Sequence, residues 1–170
     1  MKVILFDLGN TLEDQQREVL LPGAMRTLNA VRAMRDLEGR ATALALVSDF
    51  GETGATPQQI LASQNEYYAI LDGHNIRRFF EPVARRVVLS IEVGALKPDR
   101  KIFQAVIDRI DASLSFADLF FVTERRSHIL AARALGMRAV HFKGPRETTG
   151  DVTRLLDLLP LVRNFLQATV

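Results

Sequence analysis

The sequence contains no cysteine, which excludes a disulfide framework and a thiolate metal site. It also lacks any apolar run approaching the ~20 residues that a membrane-spanning helix needs. An apolar strand pattern begins within two residues of the N-terminus, leaving no room for a cleavable leader. The expectation is a soluble, cytoplasmic protein with no membrane partner. An excess of one charge is missing too: 22 Lys and Arg stand against 20 Asp and Glu. That balance is too mild to point to nucleic acid. The pairs Arg77-Arg78, Arg85-Arg86 and Arg125-Arg126 read as solvated faces. Repeats, linkers and low-complexity segments are absent, so residues 1–170 are expected to form one domain. With 48% hydrophobic residues the chain can build a proper core.

What is present is an alternation of short apolar runs and helical periodicities. That pattern predicts an α/β fold, a three-layer sandwich around a mostly parallel sheet. The predicted strands are "VILF", "ALALVS", "RRVVLS", "DLFFV" and "MRAVHF". A helix is expected from Pro22, a favoured first-turn residue, to about Gly39. After the Gly-rich "DFGETGATP", Thr56 and Gln59 suit a capping box, and the helix they open runs to Gly73. "KPDRKIFQAVIDRI" reads as a turn and a helix, and "SHILAARALG" as a helix closed by Gly136. "VTRLLDLLPLVRNFL" reads as a terminal helix interrupted at Pro160.

In open α/β sheets ligands bind beyond the carboxyl ends of the strands. The residues at or just past those ends are Asp7, Ser48, Lys97 and Glu124. Two carboxylates can hold Mg²⁺, which commonly takes one or two of them plus water and substrate phosphate. An amine and a hydroxyl can hold phosphoryl oxygens. The set suits phosphoryl transfer, with an Asp able to serve as covalent nucleophile.

Four segments resemble, in order, the four motifs of the haloacid dehalogenase-like (HAD) superfamily. They are "FDLGNTL", "LVSD", "EVGALKPDRKIF" and "FFVTERRSHILAARALGM". The resemblance spans roughly Lys2 to Phe142. It implies a Rossmann-like domain, a Mg²⁺ cofactor and hydrolysis of a phosphate ester through an aspartyl-phosphate. By position it makes Asp7 the nucleophile, with Ser48 and Lys97 on the phosphoryl group. Asp7, the Gly9 carbonyl and Glu124 would be the metal ligands. Asn10, Thr11 and Asp49 would line the substrate site, Thr11 also supporting the motif I turn. Asp14 falls in the mobile flap that follows motif I in such proteins.

The sequence also lacks parts of that pattern. Gly9 stands where the family usually has a second Asp, which protonates the leaving oxygen and then activates water. General acid–base catalysis is worth ~10²–10⁴-fold, so ester hydrolysis should be slowed unless another group replaces it. Motif IV has Glu124 for the usual Asp, and His128 for a second acid, with Arg125 and Arg126 beside them. Weaker Mg²⁺ binding is expected, with Asp49 able to return some charge. His128 reads as a helix-start residue that could also substitute as proton donor. Little or no cap domain is expected as well: about forty residues separate Asp7 from Ser48 and about fifty separate Ser48 from Lys97, room for a flap and an extra helix. An open site of this kind suits a large substrate or closure by a partner subunit. The leading expectation is a slow, Mg²⁺-dependent phosphohydrolase. The alternatives are a catalytically silent scaffold for binding or assembly and, below it, a 2-haloacid dehalogenase.

Overall fold

The computed structural model describes residues 1–168. Its core is a five-stranded sheet of β1 (Val3–Phe6), β4 (Ala43–Ser48), β5 (Val87–Leu89), β6 (Leu119–Thr123) and β7 (Arg138–His141). The order is β5-β4-β1-β6-β7, and every pairing is parallel. A parallel sheet covered on both faces needs unbroken apolar strands, and "VILF" and "ALALVS" supply them.

Side-chain alternation along each strand sorts these residues into two cores. Ile4, Phe6, Leu44 and Phe120 face one side, where α1 (Ala24–Ala33), α2 (Pro57–Gly73) and α7 (Leu158–Leu166) pack. Leu5, Ala45, Val47 and Phe121 face the other, covered by α5 (Arg100–Ile110) and α6 (Arg126–Ala134). There the rings of Phe103 and Phe121 meet edge to face at 5.3 Å. The result is the expected three-layer α/β sandwich. No described helix is long and apolar enough to cross a membrane.

Two insertions stand over the carboxyl edge of the sheet. Between β1 and β4 lie a small antiparallel hairpin, β2 (Glu13–Asp14) with β3 (Val19–Leu20), and then α1. Between β4 and β5 lies the 17-residue α2. Its capping box is present: Thr56 Oγ1 accepts from Gln59 N, and Gln59 Oε1 from Thr56 N. Two short helices, α3 (Val83–Arg86) and α4 (Ser90–Val93), flank β5.

Several boundaries differ from the sequence reading. The first helix starts at Ala24, not Pro22, because Gly23 caps it at φ +88°. It stops at Ala33, short of Gly39. Beyond it, the Asp36 carboxylate accepts bonds from Glu38 N, Arg40 N and Arg40 Nε and closes a separate turn. In "RRVVLS" only Val87–Leu89 is strand. The arginines end α3, and Arg85 donates to the Arg109 and Ile110 carbonyls at the end of α5 rather than to solvent. Arg77 is likewise engaged, with Asp72 and Glu81. Pro160 does not interrupt the terminal helix. It is the third residue of α7, where its missing N–H would have had no partner within the helix.

Candidate active site

The ends of β1, β4 and β6 converge on one floor. Asp7 follows β1, Ser48 ends β4, Glu124 follows β6, and Lys97 reaches in from the loop after α4. Lys97 Nζ lies 2.7 Å from Asp7 Oδ1 and donates to Val47 O at 2.9 Å. Its side chain is 1% exposed. An ammonium has three donors, so one remains for an incoming acceptor. Asp7 Oδ1 also accepts from Leu8 N at 3.0 Å. The Asp49 carboxylate accepts from Lys97 N at 2.8 Å. Asp49 thus anchors the lysine's backbone, a positioning contact that the sequence did not suggest.

Ser48 has a partner that sequence reasoning missed. Its Oγ lies 2.6 Å from the hydroxyl of Tyr67, a fully buried residue of α2. Burial pushes the Tyr67 phenol far above its ordinary range, and the charges of Asp7 and Glu13 push it further. A neutral phenol can donate to Ser48 Oγ and leave the serine proton free for an anion.

Glu124 is held from three sides. Its Oε2 accepts from Thr11 Oγ1 at 3.0 Å and from Thr123 Oγ1 at 3.1 Å, and its N–H donates to Thr11 Oγ1 at 3.2 Å. His141 Nε2 meets its carbonyl at 2.7 Å. Burial, then the nearby Asp7 charge, raise the Glu124 pKa above the usual carboxylate range. Thr123 Oγ1 also lies 3.1 Å from Asp7 Oδ2, so a single hydroxyl proton stands between two carboxylates. Thr123 ends β6 immediately before Glu124.

The remaining expected residues take varied places. Gly9 and Asn10 line the cavity, and Asn10 adopts a left-handed conformation at φ +55°. Asn10 Oδ1 is enclosed without a hydrogen-bond partner. Gly144 allows the loop after β7 to close here, because a Cβ at that position would lie 2.7 Å from Asn10 O and 2.9 Å from Glu124 Cβ. Asp14 stays in the flap, paired with Arg17. Arg125 Nε lies 3.6 Å from Glu124 Oε1 with its side chain 65% exposed.

His128 does not serve as the substitute proton donor. It sits buried on α6 with Nδ1 enclosed and unpartnered, outside the cavity lining. Burial and the Lys97 charge lower its pKa, which keeps the ring neutral.

The residues fit a hard divalent cation. Asp7, Asn10 and Glu124 line the same cavity, and their carboxylate and amide oxygens, the Asn10 one without a partner, are of the kind that Mg²⁺ takes. No cluster of three or more His, Cys, Asp or Glu suited to a metal occurs among the described residues, so a cage of such side chains is not present. Mg²⁺ often needs only one or two carboxylates, with water and substrate completing its shell.

Above the floor is an open cavity of about 680 Å³. Its far wall comes from the hairpin and α2, through Glu13, Tyr67, Ile70 and His74. Glu13 Oε1 and His74 Nε2 meet at 3.1 Å, joining the two insertions.

No protein-family model and no curated protein matches the sequence. Solved structures do match its fold. An uncharacterized protein from Corynebacterium glutamicum aligns over 98% of this chain and 95% of its own, at 18% identity and TM-score 0.55. A haloacid dehalogenase-like family hydrolase from Streptococcus pneumoniae aligns over 95% and 98%, at 11% identity and TM-score 0.64. The HAD-hydrolase YfnB from Bacillus subtilis, solved bound to magnesium, aligns over 85% of this chain but 57% of its own, at 16% identity and TM-score 0.61. This chain therefore has the α/β fold of the haloacid dehalogenase-like hydrolases.

Proposed function

We propose that the protein is a Mg²⁺-dependent phosphohydrolase that cleaves a phosphate ester through an aspartyl-phosphate on Asp7. The observation that carries this reading is the buried Asp7–Lys97 pair at 2.7 Å on the floor of an open cavity. A carboxylate so placed can attack phosphorus while the spare ammonium proton of Lys97 meets a phosphoryl oxygen. Ser48, backed by the Tyr67 phenol, supplies a second donor. Water then cleaves the aspartyl-phosphate and returns the carboxylate. Asp7 and Glu124, with Asn10 and the Gly9 carbonyl beside them, are the residues to hold Mg²⁺. When bound, the ion would offset the charge of the phosphoryl oxygens. That one structural neighbour is bound to magnesium is consistent with this assignment.

The expected result is Mg²⁺-dependent turnover of p-nitrophenyl phosphate, lost in Asp7→Asn. No turnover across a broad phosphate panel, by folded protein in millimolar Mg²⁺, would contradict the reading.

One observation favours a silent scaffold instead: Arg125 lies 3.6 Å from Glu124 and could neutralise the carboxylate that a metal needs. Its side chain is mostly exposed, however, and it approaches the oxygen that faces away from Thr11 and Thr123. Dehalogenases occur among the structural neighbours. A departing halide needs a dry, enclosed pocket, and this cavity is open.

A further inference from the structure

This inference rests on the phosphohydrolase reading and supplies the group that reading lacks. Gly9 offers no side chain to protonate a leaving oxygen. The cavity lining narrows the candidates. The Tyr67 phenol is held protonated by burial, so it cannot return as a base. Glu18 and Glu66 are exposed at the rim, and Asp49 is exposed with its carboxylate engaged by Lys97 N. Glu124 is bound by two threonine hydroxyls. Glu13 and His74 remain. Glu13 is 6% exposed, and its backbone is bridged to that of Gly9. His74 is the C-cap residue of α2 and lines the cavity. Its Nε2 is committed to Glu13 Oε1 at 3.1 Å, so Nδ1 is the nitrogen left to meet a substrate.

We propose that His74 is the general acid and base of this site, with Glu13 as its positioning residue. In the first step an Asp7 oxygen bonds to phosphorus and the ester P–O bond breaks. The leaving alkoxide takes the electron pair of that bond and a proton from His74 Nδ1. The imidazole then remains neutral, with Nε2–H donated to Glu13. In the second step water attacks phosphorus and gives its proton to Nδ1. The bond between phosphorus and Asp7 breaks, releasing phosphate and restoring both the carboxylate and the imidazolium. The arrangement resembles other catalytic units in which a carboxylate fixes the tautomer of a histidine.

A plain structural role predicts something different. The same bond fastens the flap hairpin to α2, and a clasp would affect all substrates alike. The test uses leaving groups. p-Nitrophenolate departs with little need of a proton, whereas the alkoxide of 2-phenylethyl phosphate needs one. In His74→Gln the ratio of kcat/KM for the alkyl ester to that for the aryl ester should fall ~10²-fold or more. Glu13→Gln should lower the ratio in the same direction, which gives a second reading if His74→Gln folds poorly. Gly9→Asp is sterically feasible: its Cβ would meet only the end of the exposed Gln15 side chain, at 3.1 Å. Added to His74→Gln, it should restore the ratio. A ratio unchanged in both single variants would overturn the role of His74 and leave the phosphohydrolase reading standing. So would an inactive wild type that gains turnover with Gly9→Asp. Inactivity of both wild type and Gly9→Asp on every ester would overturn the two together.

Discussion

Thr11 shows how much of this site depends on single hydroxyls. Its Oγ1 accepts from Glu124 N and donates to Glu124 Oε2, so one atom holds both the backbone and the carboxylate of a candidate ligand. Thr11→Val keeps the shape and removes both bonds. A buried polar group left unpaired costs ~1–3 kcal/mol. Urea unfolding of Thr11→Val should show a loss of that size, and the Mg²⁺-induced thermal shift should weaken with it. Residues of this kind differ in how legible they were. Asp7, Ser48, Lys97 and Glu124 could be located because strand ends in a parallel sheet are where such groups gather. Tyr67 and His74 could not, because their partners lie 19 and 61 residues away and only packing brings them together.

Among the elements, α6 carries a consequence for pH. His128 on its buried face has a lowered pKa, from burial first and then the Lys97 charge. Arg125 adds to this, whereas Asp7 and Asp49 oppose it. Above the ordinary value of 6.5 the ring is neutral in both folded and unfolded chains. As pH falls through 6.5, the unfolded chain takes up a proton that the folded one refuses. Stability is lost over that window until the folded ring also titrates. Urea midpoints should therefore drop between pH 7.5 and pH 5.5, and His128→Leu should reduce the drop. An equal drop in both proteins would show that another group is responsible. Helix ends were the less legible part of the elements. Pro22 and Pro160 were both misread, one as a helix start and one as a break. A proline's local preference does not say which side of it the tertiary contacts will favour. Lys2, for example, donates to the Phe165 and Ala168 carbonyls and fixes the end of α7 from the far end of the chain. By contrast, the Thr56 capping box was legible because both of its bonds are local.

At the scale of the whole molecule, the sheet sets the floor and the two insertions set the wall. The sheet was legible because buried parallel strands must be apolar throughout. The wall was not, beyond the expectation of a flap and an extra helix, because its position depends on the tertiary contacts of the hairpin and α2. The resulting site is open, with a few convergent polar groups on its floor, and the proposed reaction requires that Asp7 accept a phosphoryl group. Beryllofluoride with Mg²⁺ imitates an aspartyl-phosphate and requires no turnover, so it probes that step without depending on His74. A ligand at 100 times its Kd raises the melting temperature of a domain this size by roughly 5–10 °C. A rise of that order in the wild type, absent in Asp7→Asn, is the predicted result. No rise in the wild type, or the same rise in both proteins, would contradict the account.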